Sequence, residues 1–244
     1  MKTLCRLITF LAVFGAISKL PAAGPFQASD ENAGVGIDQT DGIIYPFSMT
    51  VVGILAGEAK VVISVDAAGQ LKDVLPVGYT KPVFAELAVA ALKRWRYEPA
   101  RVHGIARASR AEVLFTFKNG MGVMVQALPG SMAVSSLSRS IEERYSYSAC
   151  QLGQLDHIPL PVHVVPPTAL KIDPKSAKRT VTVEFYIDEV GQVRMPAISR
   201  EETDDDYAAA AVSAVEQWRF EPPTRKGQPV LVLAKQEFNF VNKP

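Results

Sequence analysis

Trp218-Arg219-Phe220-Glu221-Pro222 repeats, in type and order, a stretch met 123 residues earlier as Trp95-Arg96-Tyr97-Glu98-Pro99. The register around each copy also holds. Gly104 and Gly227 both stand nine residues after their Trp, and Phe115/Phe117 and Phe238/Phe240 stand 20 and 22 after it. Upstream, Val65-Asp66-Ala67-Ala68-Gly69-Gln70 is answered by Ile187-Asp188-Glu189-Val190-Gly191-Gln192, with one residue inserted before the second Trp. The chain holds only 2 Trp in 244 residues, so matched spacing at this many positions predicts a duplicated folding unit.

Each copy reads as strand, strand, helix, strand. Val181, Val183, Phe185 and Ile187 alternate with Thr182, Glu184, Tyr186 and Asp188, the period of a strand with one apolar face. Val61, Ile63 and Val65 are the counterpart. Asp66-x-x-Gly69 and Asp188-x-x-Gly191 supply turns, and second strands are expected at Leu71–Val77 and Val193–Ser199. Phe84, Ala88, Ala91 and Trp95 form a helical stripe, repeated by Tyr207, Ala211, Ala214 and Trp218. Thr80 with Pro82 marks the first helix start and Thr203 with Asp206 resembles a capping box; Pro99 and Pro222 bar continuation. The third strands end at Phe117 and Phe240.

The expected fold class is therefore α+β: two tandem β-β-α-β repeats, each a small antiparallel sheet with a helix on one face. The other face and the sheet edges are left in need of protection. The domain scheme places a signal peptide at 1–24, repeat one at 43–118, a linker at 119–157 and repeat two at 158–242. Within the linker a short strand is expected at Gly122–Val125 and a weakly amphipathic helix at Ser135–Tyr145. Ile158–Pro167, with four prolines, reads as an extended lead-in.

Lys2 and Arg6 precede a mostly apolar run, Leu7–Ile17, and then Ser18-Lys19-Leu20-Pro21-Ala22-Ala23-Gly24, the order of a secretory signal peptide. The run falls short of the roughly 20 residues that span a bilayer. Cleavage between Ser18 and Gly24, with Ala16-Ile17-Ser18 as the best-formed small-x-small site, and a periplasmic location are expected, with a retained inner-membrane anchor as the alternative. Cys5 is too early to be a lipoprotein cysteine. Removal of the leader would leave Cys150 as the sole thiol, read as a semi-buried linker residue, so no intramolecular disulfide is expected. A formal net charge of +1 with 21% charged residues gives no argument for nucleic acid.

The alternating strand ending in Asp-x-x-Gly-Gln, the Ala-rich helix, Trp-Arg-aromatic-x-Pro and then Gly227-Gln-Pro-Val resemble the C-terminal domain of the TonB energy-transducer family. Repeat one matches through Trp95–Pro99 but has Gly104-Ile-Ala-Arg in place of Gly-x-Pro-Val. The resemblance implies a periplasmic, non-enzymatic domain that takes a peptide of an outer-membrane receptor as an added strand, a mode that relies on backbone hydrogen bonds. The edge expected to receive it is Val230, Leu231, Val232, Leu233, Ala234, Lys235 and Gln236. Tyr45-Pro46 matches the family's Tyr-Pro ahead of the first strand, where repeat two has Val165-Pro166. Family transducers also carry an anchor histidine and a long Pro-rich spacer; here His103, His157 and His163 all lie outside the apolar segment.

Other readings are plainer. Trp95 and Trp218 lie on buried helical stripes and read as core anchors, and Arg96 and Arg219 as helix C-terminal caps. Glu201, Glu202, Asp204, Asp205 and Asp206 suit a helix N-terminus and lack the glycine-bearing spacing of a calcium loop. His157 and His163 have no partners at metal-site spacing, and no catalytic or phosphate-loop motif occurs, so no cofactor or metal is expected. Three functions stay open: a peptide- or protein-binding adaptor, a pseudo-dimer self-associating through sheet edges, and a true transducer with an uncleaved anchor.

Overall fold

The computed structural model describes residues 32–128, 145–168, 180–198 and 205–240. The expected leader at 1–24, the helix at Ser135–Tyr145 save its last residue, Thr203 of the capping box, and Glu201, Glu202 and Asp204 lie outside them.

The first half builds β1 (Ala56–Val65), β2 (Leu71–Tyr79), α2 (Pro82–Leu92) and β3 (Ser109–Lys118), preceded by a five-residue helix, α1 (Phe47–Val51). Ala59, Val61, Ile63 and Val65 turn one face of β1 onto Phe84, Ala88, Ala91 and Leu92 of α2. The second half builds β7 (Thr180–Ile187), β8 (Val193–Ile198), α3 (Asp205–Glu216) and β9 (Val232–Asn239). Val181, Val183, Phe185 and Ile187 meet Tyr207, Ala211, Val215 and Trp218 in the same manner. Hydrophobic periods of two and 3.6 thus dictate both helix-on-sheet cores.

The segment between the halves adds strands that the four-element scheme does not contain. These are β4 (Met121–Leu128), β5 (Tyr147–Ser148) and β6 (Cys150–Gln151). One sheet runs β5-β2-β1-β3-β4, the other β6-β9-β7-β8. All pairings are antiparallel except β6 on β9. Cys150 is 2% exposed on β6, more deeply buried than a linker residue would be. Smaller ladders, such as Gly36–Gln39 on Arg96–Glu98 and Pro161–His163 on Arg219–Phe220, attach each lead-in to its Trp-Arg-aromatic stretch.

The sheet faces turned away from the helices are not left to water. Val62, Leu75 and Val77 of the first sheet close on Tyr186, Met195 and Leu231 from the second half. The layers run helix, sheet, sheet, helix. The halves therefore pair through faces, not through edge strands as the pseudo-dimer reading required. Charges in this layer are paired: Arg110 Nη2 donates to Glu184 Oε2 at 2.5 Å, and Lys235 Nζ lies 2.7 Å from Glu184 Oε1. Arg194 meets Asp73 across the same boundary at 2.5 and 2.9 Å.

Two helix details differ from expectation. Both helices stop short of their Trp, at Leu92 and Glu216, so Pro99 and Pro222 follow a chain that has already left the helix. Thr80 caps nothing: Lys81 is the N-cap residue, Pro82 opens the helix, and the Thr80 hydroxyl accepts the Glu58 N–H at 3.0 Å.

Candidate functional site

The turn before the second strand explains why Asp-x-x-Gly recurs together with Trp-Arg-aromatic. Asp188 Oδ1 accepts the N–H groups of Val190 (3.2 Å) and Gln192 (2.8 Å). Asp66 does the same for Ala68 (2.9 Å) and Gln70 (2.8 Å). Gly191, at φ +81°, has its carbonyl 2.9 Å from the donating N–H of Phe220, and a Cβ there would sit 2.0 Å from the Phe220 carbonyl oxygen. Only glycine serves where the conformation is left-handed and a neighbouring backbone comes this close. Arg219 donates to the Trp218 carbonyl at 2.7 Å and sits 3.5 Å from that of Glu216, the helix-end role expected of it. Trp218 donates its indole N–H to the Val165 carbonyl at 2.8 Å, while the buried Trp95 indole N–H has no partner among the described residues.

This framework holds β9 at one side of the second sheet. Its inner side pairs with β7 over the full length, Thr180↔Asn239 to Ile187↔Val232. Among the described residues its outer side meets only β6, where Cys150 pairs with Val232 and Gln151 with Leu233. Cys150 N–H donates to the Leu231 carbonyl at 2.8 Å, which fixes the polarity of the strand. Successive residues of a strand direct their backbone groups to opposite edges. Leu233, Lys235, Glu237 and Asn239 therefore turn N–H and C=O outward, and Val232, Ala234, Gln236 and Phe238 turn theirs toward β7. Past Leu233 no strand lies alongside among the described residues. One outward acceptor is occupied locally, the Glu237 carbonyl taking the Gln236 side-chain amide at 2.8 Å.

β3, the counterpart of β9, has no such opening. β4 runs along it from Lys118↔Met121 to Glu112↔Leu128, completing the first sheet from within the chain. The two halves thus differ most at the edge where strand addition would occur.

The expected site residues fall in different environments. Val230 precedes β9, and its N–H donates to the Pro223 carbonyl at 2.9 Å. Leu231 is buried in the layer between the halves, and Val232 and Ala234 are buried under α3. Leu233 is half-buried behind β6; Lys235 is exposed at the open edge, and Gln236 is half-buried beside it. Tyr45 and Pro46 belong to the other half. Tyr45 donates its hydroxyl to the Ile54 carbonyl at 2.7 Å and its ring lies 5.8 Å from Phe84; burial raises its phenol pKa. Pro46 precedes α1. The structure does not bring Tyr45 and Pro46 into the core that carries β9.

Sequence reasoning missed the Glu184–Arg110–Lys235 cluster, although a carboxylate and a guanidinium at mid-strand positions were a signal for it. Among the described residues no group of His, Cys, Asp and Glu could hold a metal ion. His157 Nε2 lies 3.9 Å from Glu221, with both side chains about half exposed.

Residues 176–241 match the family model described as Gram-negative bacterial TonB protein C-terminal. The matched stretch contains β7, β8, α3 and β9, and supports a TonB C-terminal domain there. No curated protein and no solved structure matches the chain. No helix among the described residues is long and apolar enough to cross a membrane.

Proposed function

We propose that this is a periplasmic, non-enzymatic adaptor built from two tandem TonB C-terminal-like units, of which the second receives a peptide. An extended segment of a protein partner, of the kind an outer-membrane receptor presents to the periplasm, adds as a strand along Lys235–Asn239. The observation that supports this most is the difference between the two edges. In the half that matches the family, no described strand lies along β9 from Lys235 onward; in the other half, β4 already fills the equivalent place. Strand addition satisfies donors and acceptors that otherwise face water and asks little of the side chains.

A direct test titrates the protein with synthetic peptides copying periplasm-facing receptor segments. Amide NMR signals of Lys235, Glu237 and Asn239 are expected to shift most and to gain protection from exchange. Shifts confined to β4 or to α3 would overturn the assignment. Transduction by a retained anchor is the rival reading, and finding the natural protein in the soluble periplasmic fraction without residues 1–24 excludes it.

A further inference from the structure

We propose that one end of the first half, formed by residues 42–57 and the turn between β3 and β4, docks on an anionic lipid surface. From Gly42 to Gly57 there is no charged residue and no histidine, in a chain that is otherwise 21% charged. The segment divides its apolar side chains between two destinations. Ile43, Tyr45, Met49 and Ile54 pack on the first core. Ile44, Phe47, Val51, Val52 and Leu55 point outward, each between 60% and 84% exposed. Met121, 65% exposed, joins them, because it pairs with Lys118 and Lys118 pairs with Ala56.

The backbone of this projection is largely closed. Met49 donates to the Pro46 carbonyl (3.0 Å), Gly53 to that of Thr50 (3.0 Å), Ile54 to that of Met49 (2.9 Å) and Asn119 to that of Leu55 (2.9 Å). Such a segment enters a water-poor boundary with few unsatisfied amides, the requirement that membranes impose on backbone. Exposed apolar clusters of this extent mark interaction sites in soluble proteins.

Charge selects the occupant. Behind the tip stand Lys118, which ends β3, and Lys81 at the start of α2; both are exposed, and neither has an ion pair among the described residues. Glu58, the nearest carboxylate along β1, alternates with the core-facing Ala59 and lies on the same sheet face as Lys118, which pairs with Ala56 two residues away. Apolar side chains at the tip with cations behind them are the pattern of a protein seated on anionic lipid.

The native Trp95 and Trp218 are buried, so Phe47→Trp adds an exposed reporter to the full chain. Mixed with vesicles of phosphatidylethanolamine and phosphatidylglycerol, Phe47→Trp should shift to shorter wavelength and be quenched by brominated acyl chains. Ile105→Trp, on the hairpin after Pro99, should not be. Adding Val51→Ser and Leu55→Ser should abolish the quenching, and Lys81→Gln with Lys118→Gln should raise the lipid needed by on the order of tenfold. Circular dichroism should be unchanged in every variant, since all these positions are exposed. No quenching of Phe47→Trp, or equal quenching on phosphatidylcholine alone, overturns the proposal. The vesicles carry no receptor peptide, so either result leaves pairing at β9 untouched.

Discussion

Gly191 and Gly227 are both left-handed glycines, and the structure separates them by what surrounds each. Gly227 (φ +71°) faces open space, whereas a side chain at Gly191 meets the Phe220 carbonyl. Gly227→Asn is expected to be near neutral, since asparagine tolerates this conformation. Gly191→Asn should cost at least about 2 kcal/mol, because strain and collision combine there. Urea denaturation of the two variants side by side checks the difference. Tyr186 gives a second residue-scale expectation. Burial outweighs the nearby Arg110 cation and pushes its phenol up to about 12. The unfolded chain ionises near the ordinary value of 10.0, so the fold keeps its full advantage below that pH and loses it as pH rises toward 12. The loss is at most about 1.4 kcal/mol per pH unit. Denaturation curves at pH 9 and pH 11 should diverge for the parent, and Tyr186→Phe should narrow the gap.

At the scale of elements, the outward backbone of β9 gives the sharpest test of strand addition. Glu237 is exposed and turns its N–H away from β7. Glu237→Pro removes one outer donor and should abolish peptide binding while the sheet stays folded. Glu237→Ala should bind almost as the parent does. Gln236→Pro, which deletes a ladder donor to β7, should unfold the second sheet, visible by circular dichroism. Peptide affinity of Glu237→Pro equal to that of Glu237→Ala would refute pairing at this edge. Much of this element was legible in the chain. The alternation of β7, the helical stripes and the Asp-x-x-Gly turns placed both cores, and a short strand was expected inside β4. The polarity of β9 was not legible. It depends on one hydrogen bond from Cys150, a residue some 80 positions away that no local period connects to Leu231.

For the molecule as a whole, the central layer was the part hidden from sequence. Periodicity reports one buried face when the other is solvated. Here the second face mixes Val62 and Tyr186 with Lys60, Arg110 and Glu184, and reads as polar because its buried charges are paired. The positions 123 residues after Arg110 and 122 after Val62 carry Leu233 and Glu184, so one half of the contact is ionic where its counterpart is apolar. Glu184→Val alone leaves the Arg110 guanidinium without its carboxylate, holding only the backbone carbonyls of residues 184 and 195, and should cost about 3–5 kcal/mol. Glu184→Val with Arg110→Leu should recover that loss or exceed it, Lys235 being exposed enough to find water. The shared layer also predicts that Trp218→Ala, costing about 3–5 kcal/mol, lowers both halves in one transition. Separate transitions for the two halves would show that the layer is weak.

β4 has a consequence for stoichiometry. Under the proposed function, two tandem units could in principle form a bivalent clamp, able to hold two tails of one oligomeric receptor and to gain avidity from the second. With β4 along β3, only the β9 edge would be left to serve. Calorimetric titration should return one equivalent of peptide per chain, and a tandem peptide should bind no tighter than a single copy. Deleting β4 would then be the way to ask whether the first edge, once uncovered, recognises anything.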